Sequence, residues 1–201
     1  MVHMKKLFLF VFTILVASTV KAQFSASIGY INIPVNDEID PYYTNGFSIG
    51  LDYDYNIVDN LNISSGLGMN ITFQNVEDSD TIFHVSILNL SIPVDFSYGF
   101  SLSPSMKLNI YAGPTFVIGL LNKANNDYGT SVDYYNDNIP EGKFDYTLKR
   151  FNLLLGGGLS LDIKEKYRIK IGYKKGLLDL DNSGEYPYKT DMITASIGYI
   201  F

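Results

Sequence analysis

From residue 46 to residue 57 the chain alternates without a break. Phe47, Ile49, Leu51, Tyr53, Tyr55 and Ile57 take the odd positions, and Gly46, Ser48, Gly50, Asp52, Asp54 and Asn56 the even ones. A period of two is what an extended strand shows when its faces meet different surroundings. Residues 61–73 repeat the pattern, with Ser65 the exception on the apolar side. Segments 24–33, 83–98, 106–120, 148–163, 167–175 and 191–201 follow it with more noise, which predicts eight strands in all. Within 83–98 the phase slips near Ile87 and Leu88, so a β-bulge is expected there.

The spacers alternate too. Connections 58–60, 99–105 and 164–166 are short, whereas 34–45, 74–82, 121–147 and 176–190 are long. Short turns at one end and long loops at the other describe an all-β, antiparallel up-and-down barrel of the outer-membrane type. Nothing repeats at solenoid or propeller spacing and no linker interrupts residues 23–201, so one domain is expected.

A lipocalin-like barrel would alternate in the same way with its faces reversed. Here the polar phase is small, with Ser25, Ser27, Gly29, Gly66, Gly68 and Gly156 among it. Small residues suit the inside of an eight-stranded barrel, where side chains just fill the lumen. On a water-facing exterior those glycines would only weaken the strands. Aromatics gather near strand ends: Phe47, Phe73, Phe83, Phe116, Phe151 and Tyr173 on the loop side, and Tyr53, Tyr55, Phe96, Tyr98, Tyr167, Tyr199 and Phe201 on the turn side. Those positions suit two interfacial girdles. Tyr199 and Phe201 are predicted anchors at the turn-side interface, and the last strand is expected to close on the first near Phe24, because lipid tolerates no free edge.

Composition narrows the function classes. Apolar residues make up 46% and charged residues 18%, too apolar for a disordered chain. Fifteen Lys and Arg against 21 Asp and Glu give a net charge of −6, with no basic run in the body of the chain, so nucleic acid is not an expected partner. There is no cysteine, which excludes disulfides and thiol catalysis. His84 is the one histidine after residue 22, with Ser86 on the same phase; a rim position suits it better than a catalytic one. No catalytic residue and no cofactor is assigned.

The first 22 residues read as an address. Lys5 and Lys6 precede an apolar run over 7–16, and Val20-Lys21-Ala22 offers small residues for cleavage before Gln23. That is the layout of a secretory signal peptide, and the run is too short for a spanning helix.

Several segments resemble one family. Leu88-Asn-Leu-Ser-Ile-Pro-Val-Asp-Phe96, Tyr111-Ala-Gly-Pro-Thr115, Gly172-Tyr173 with Gly176-Leu177, and Gly198-Tyr-Ile-Phe201 follow the order of strand motifs in the PorT-like, OmpX-like outer-membrane β-barrel proteins common in the Bacteroidota. The resemblance spans the whole chain after the leader and implies an outer-membrane location. It carries no catalytic motif.

With the facing fixed, Asp52, Asp54, Asp95, Lys107, Arg150, Asp162, Arg168, Lys170 and Lys174 fall on the inner phase. A lumen ion-pair network is predicted, because unpaired charges there are costly. If Ile163 pairs with Tyr167, Asp162 stands opposite Arg168. The long loops gather acids and tyrosines, among them Tyr42, Tyr43, Tyr128, Tyr134, Tyr135, Tyr146, Tyr186 and Tyr188, a mixture that suits recognition surfaces or an extended aromatic rim. Asp179-x-Asp181-x-Ser183-Gly184 matches the first half of a calcium loop, but Thr190 stands where the bidentate acid belongs, so no metal is assigned. The reading is a monomer with a filled lumen and a structural or surface-interaction role. Its expected partners are outer-membrane lipid, lipopolysaccharide and the barrel-assembly machinery, which would engage the C-terminal strand. A narrow or gated porin, or a component of a secretion or envelope-assembly machine, is the alternative.

Overall fold

A computed structural model of the chain describes residues 22–36, 42–58, 60–78, 81–126, 131–135, 147–182 and 187–201. The leader predicted over 1–22 lies outside them save for Ala22. In chain order the strands are β1 (Ala22–Asn36), β2 (Tyr42–Val58), β3 (Leu61–Asp78), β4 (Thr81–Ser103), β5 (Met106–Asn126), β6 (Ser131–Asp133), β7 (Phe151–Ile163), β8 (Tyr167–Gly176), β9 (Lys189–Thr190) and β10 (Met192–Ile200). Two of these are short additions: β6 pairs with β5, and β9 with β1. The other eight are each antiparallel to their neighbours, and β10 returns to β1.

Closure runs from Ser25 opposite Ile200 to Asn32 opposite Ile193. The Phe201 amide adds a bond to the Phe24 carbonyl at 2.8 Å. The ring therefore closes where the terminal strands predict it. Closure matters because an unpaired backbone group in hydrocarbon costs several kcal/mol.

The turns are tight. Lys164 and Glu165 both take left-handed backbone, φ 53° and 54°, and the Lys166 amide bonds to the Ile163 carbonyl at 3.1 Å. Turns of this hand match the right-handed twist of the strands they join. At the other end β2, β3 and β5 run several residues past the predicted strand limits. Hydrophobic alternation ends where the lipid ends, but a hydrogen-bonded ladder can continue into water.

Facing follows the alternation. Leu51, Leu67, Ile110 and Leu155 are at least half exposed on the outer wall, while Asn70 on the opposite phase is buried. An exposed apolar belt of this extent belongs against lipid. The girdle rings pack edge to face at the turn side: Phe24 with Tyr53 at 5.0 Å, Tyr167 with Tyr199 at 5.8 Å, and Tyr199 with Phe201 at 5.3 Å. At the loop side Phe116 stacks on Phe151 at 6.4 Å. Phe83 is a correction: it shares the inward phase of Ile87, which is buried, and does not belong to the outer girdle.

The bulge is a second correction. β4 keeps one phase from Ile87 through Asp95, all facing in. The register against β5 shifts between Leu88 and Asn89, opposite Leu121 and Gly119, so the extra residue is Leu120 on β5. The apparent slip in β4 is a change in what fills the lumen, from apolar to polar, rather than a change of face.

Candidate functional site

The lumen is built in layers. At the turn end it opens as a polar cavity of about 260 Å³, with Ser64, Ser101, Asn109, Ser160 and Lys107 on its walls. Its floor is a charged belt. Arg168 on β8 donates to Asp162 twice, through Nε at 2.7 Å and Nη2 at 3.0 Å, and through Nη1 to Asp54 at 2.6 Å. Cross-strand register produces the first pair, since Asp162 stands opposite Arg168. The contact with Asp54 crosses the lumen from β2.

A second group lies deeper. Asp95, 2% exposed, accepts from Lys174 at 2.5 Å and from Lys170 at 3.4 Å. Lys174 also reaches the Thr115 hydroxyl at 2.7 Å. The ammonium of Lys170 lies 4.3 Å from the centre of the Tyr111 ring. Tyr111 itself reaches over Gly158 of β7 to donate to the Ile171 carbonyl of β8 at 2.9 Å, and Gly172 leaves room for its hydroxyl. Asp52 and Lys107 also face the lumen. Lys107 stands opposite Asp162 in the β5–β7 register, while Asp162 itself bonds Arg168 and the Asn109 amide.

Arg150 is not brought into this belt. Its carbonyl still accepts from the Gly119 amide at 2.6 Å, but the residue stands at the loop end of β7, away from Asp162 near the other end. Its guanidinium lies over the Tyr135 ring at 4.9 Å and donates to the Tyr135 carbonyl at 3.1 Å, at the loop end. The charges of the belt are therefore four acids, Asp52, Asp54, Asp95 and Asp162, against four bases, Lys107, Arg168, Lys170 and Lys174, a balanced set, with Arg150 apart at the loop end. Balance suits a narrow lumen, where a net charge would be repelled.

Above the belt the inner face turns apolar. Ile31, Ile33, Val117, Leu154 and Met192 pack into one buried cluster across the lumen. Above that, Val35, Leu148, Leu180 and Tyr188 form a second, with Tyr134, Tyr135 and Leu178 against it. Much of this second cluster comes from loop segments, so the loops fold back to cap the mouth. Gly119 makes the cap possible, because a side chain there would strike the Tyr135 ring. Burial pushes the Tyr135 phenol above its usual range despite Arg150 beside it. The charged positions of the inner phase do not announce these layers. Their signal is in the sequence: Leu153-Leu154-Leu155 and Tyr30-Ile31 break the alternation with apolar residues on both phases.

The loop after β8 carries its own cation. The Asp179 carboxylate accepts from the amides of Asp181 at 3.0 Å and Tyr188 at 2.9 Å. The carbonyls of Asp179 and Asp181 accept from the Lys149 ammonium at 3.2 and 2.7 Å. The Asp179 carboxylate, which a calcium loop would turn to metal, thus holds backbone amides instead, and a lysine holds the segment's carbonyls; Ser183 and Gly184 lie outside the described residues. Among the described residues no group of acids and histidines is placed to hold a metal. His84 Nδ1 meets the Asn75 amide oxygen at 2.8 Å, across the β3–β4 ladder.

Asp191 pins the start of β10. Its carboxylate accepts from the Gly176 amide at 3.1 Å and the Tyr173 hydroxyl at 2.5 Å, replacing ladder bonds where β8 ends.

The fold has solved counterparts. The attachment invasion locus protein Ail of Yersinia pestis, solved with the heparin analogue sucrose octasulfate, aligns with TM-score 0.52 at 18% identity, over 90% of this chain and 99% of that one. A major outer membrane protein of Thermus thermophilus aligns with TM-score 0.50 at 13% identity, over 90% and 99%. At such identities the likeness is one of fold. A search of curated proteins found no match. The model of the outer membrane protein beta-barrel domain matches residues 7–201, nearly the whole chain, and with the closed ring, apolar outer wall and filled lumen it places this protein in that family.

Proposed function

We propose that this small outer-membrane barrel is a structural and surface-interaction protein of the PorT-like, Bacteroidota type, exported through a cleaved leader and working as a monomer. The observation that carries the reading is the cap. Loop residues Leu148, Leu180 and Tyr188 are packed with Val35 into a buried cluster over the mouth. Tyr134, Tyr135 and Tyr188 pack into or against this cap, over a lumen crossed by ion pairs and an apolar layer, while Tyr128, Tyr146 and Tyr186 lie outside the described residues. Rigid aromatic and amide surfaces suit recognition at low entropic cost. Lipopolysaccharide and lipid surround the wall, and the barrel-assembly machinery is the proposed reader of the β10 terminus.

The test is photocrosslinking on intact cells from an exposed cap position, Asn182, compared with a position on the opposite turn, Lys166. A protein crosslinked from Asn182, and lost when Leu180→Asp loosens the cap of a still-folded barrel, supports the reading. A protein caught from Lys166 alone favours the secretion or envelope-assembly alternative. Lipopolysaccharide as the sole product from Asn182 removes the surface-interaction role.

A further inference from the structure

Two prolines of the motif segments stand inside long strands of the wall, Pro93 on β4 and Pro114 on β5. A proline has no amide to give a ladder and is rare in central strands. Each interrupts the pairing beside it. Between β3 and β4 the paired positions stop at Ser65 with Val94 and resume at Gly68 with Ser91. Between β4 and β5 they stop at Pro93 with Thr115 and resume at Phe96 with Ala112. The register is the same on both sides of each gap, so neither is a bulge. The Gly99 amide bonds the Asn60 carbonyl at 2.8 Å, which sets the parity of β4. Odd residues there turn amide and carbonyl toward β3, and even ones toward β5. Pro93 therefore leaves the Gly66 carbonyl without a ladder donor, and Pro114 leaves that of Val94 without one.

We propose that the two gaps form one seam on either edge of β4, where the wall opens first and where water from the lumen completes the Gly66 carbonyl. The gaps overlap along residues 92–95 of that strand, so this segment is held more weakly than its neighbours on both sides. An acceptor without a donor is costly in hydrocarbon and needs a partner. A mid-barrel cavity of about 110 Å³ reaches the seam, with Leu67, Gly68, Pro93 and Asp95 in its lining. It has room for several waters, since one needs roughly 10–15 Å³ by such a measure. The Asp52 carboxylate lies over Gly66, where no side chain intervenes. One water can donate to that carboxylate and to the Gly66 carbonyl together. Gly113 keeps the Val94 carbonyl open as well, because a Cβ there would strike it. The closure of β1 on β10, by contrast, is paired without a gap from Ser25 and Ile200 to Asn32 and Ile193. The weak line of this barrel thus lies within the sheet and not where the ring is closed. The seam is independent of the cap and of the surface role built on it.

The test is amide hydrogen exchange, read by NMR on the folded barrel in lipid nanodiscs. The Gly66 and Val94 amides, each left with one bond of a reciprocal pair, should be protected about fivefold less than those of Ser64, Gly68, Ile92 and Phe96 on the same strands, the worth of one net hydrogen bond. They should also be less protected than Ile28 and Ile197 of the closing pair. A nuclear Overhauser cross-peak to water is expected at Gly66. Pro93→Val restores a donor toward β3 and should bring Gly66 to the level of its neighbours while Val94 stays fast; Pro114→Val should do the reverse. Gly66 and Val94 protected like their neighbours overturn the seam, and so does earlier opening at Ile28 and Ile197 or a Gly66 without water. A folded valine variant with unchanged exchange overturns the role of its proline. If neither variant folds, the comparison within the wild-type chain decides by itself.

Discussion

The two halves of the lumen share one ladder, yet they are filled by opposite chemistry. Toward the turns the inner face carries Asp54, Asp95, Asp162, Arg168, Lys170 and Lys174. Toward the loops it carries Ile31, Ile33, Val117, Leu154 and Met192. The outer wall shows no such change and is apolar throughout the membrane. The difference follows from the solvent. Lipid is uniform, so it imposes one residue class on every outward position. The lumen has no external solvent to match and must satisfy only itself, by ion pairing in one half and by close packing in the other. Leu154 and Leu155 show the contrast in adjacent residues, 2% and 52% exposed.

The comparison can be broken most severely at Asp95. Asp95→Ala leaves Lys174 and Lys170 facing each other without their acid, and a broken buried pair costs about 3–5 kcal/mol. Urea titration of the protein folded into lipid vesicles reads this; a loss under about 1 kcal/mol would mean that the deeper belt is hydrated like a surface. On the other side of the wall, Leu155→Arg should cost about 2–4 kcal/mol at mid-membrane. In the same titration Leu154→Ala should exceed Leu155→Ala, because the packed layer keeps a cavity that lipid at 155 simply fills. Equal losses at 154 and 155 would put both leucines in one environment.

Smaller effects sharpen the picture. Arg168 holds two acids rather than one, so Asp162→Ala leaves it Asp54 and should cost less than Arg168→Leu, which strands both. Coupling between residues 162 and 168 should fall within about 0.5–3 kcal/mol in a double-mutant cycle, and zero coupling would dissolve the triad. Deleting Phe201 removes a girdle ring and a closing backbone bond, and should lower the folded fraction in outer membranes on heat-modifiable gels. A chain without Phe201 that folds and localises like the parent would show that closure does not need its last residue. The smallest effect is expected at Lys149, whose side chain is exposed. Lys149→Met should cost under about 1 kcal/mol globally, yet speed hydrogen exchange at the Asn182 and Leu180 amides of the loop it staples.

Much of this barrel is legible in its sequence. Alternation, loop spacing and the small inner residues predict eight strands, their facing, their closure and their wall of lipid-facing leucines. A barrel strand carries its own periodicity, and each face reports its surroundings residue by residue. The Asp162–Arg168 contact is legible too, because a short turn fixes cross-strand register. What lies beyond the sequence needs distance across the bore. Asp54 meets Arg168 from a strand that is far away along the chain, and Lys174 meets Asp95 in the same way. Arg150 reads as inward by parity and lines the space under the cap, but it meets Tyr135 at the loop end rather than the acids of the belt. The apolar layer reads as noise or a bulge, because a hydrophobic residue on the inner phase has no meaning until the residues facing it are known. Sequence alone determined which way most strand side chains point, Phe83 excepted, since that is local geometry. The tertiary structure decided what it points at, since the lumen's contents depend on strands brought together only when the ring closes.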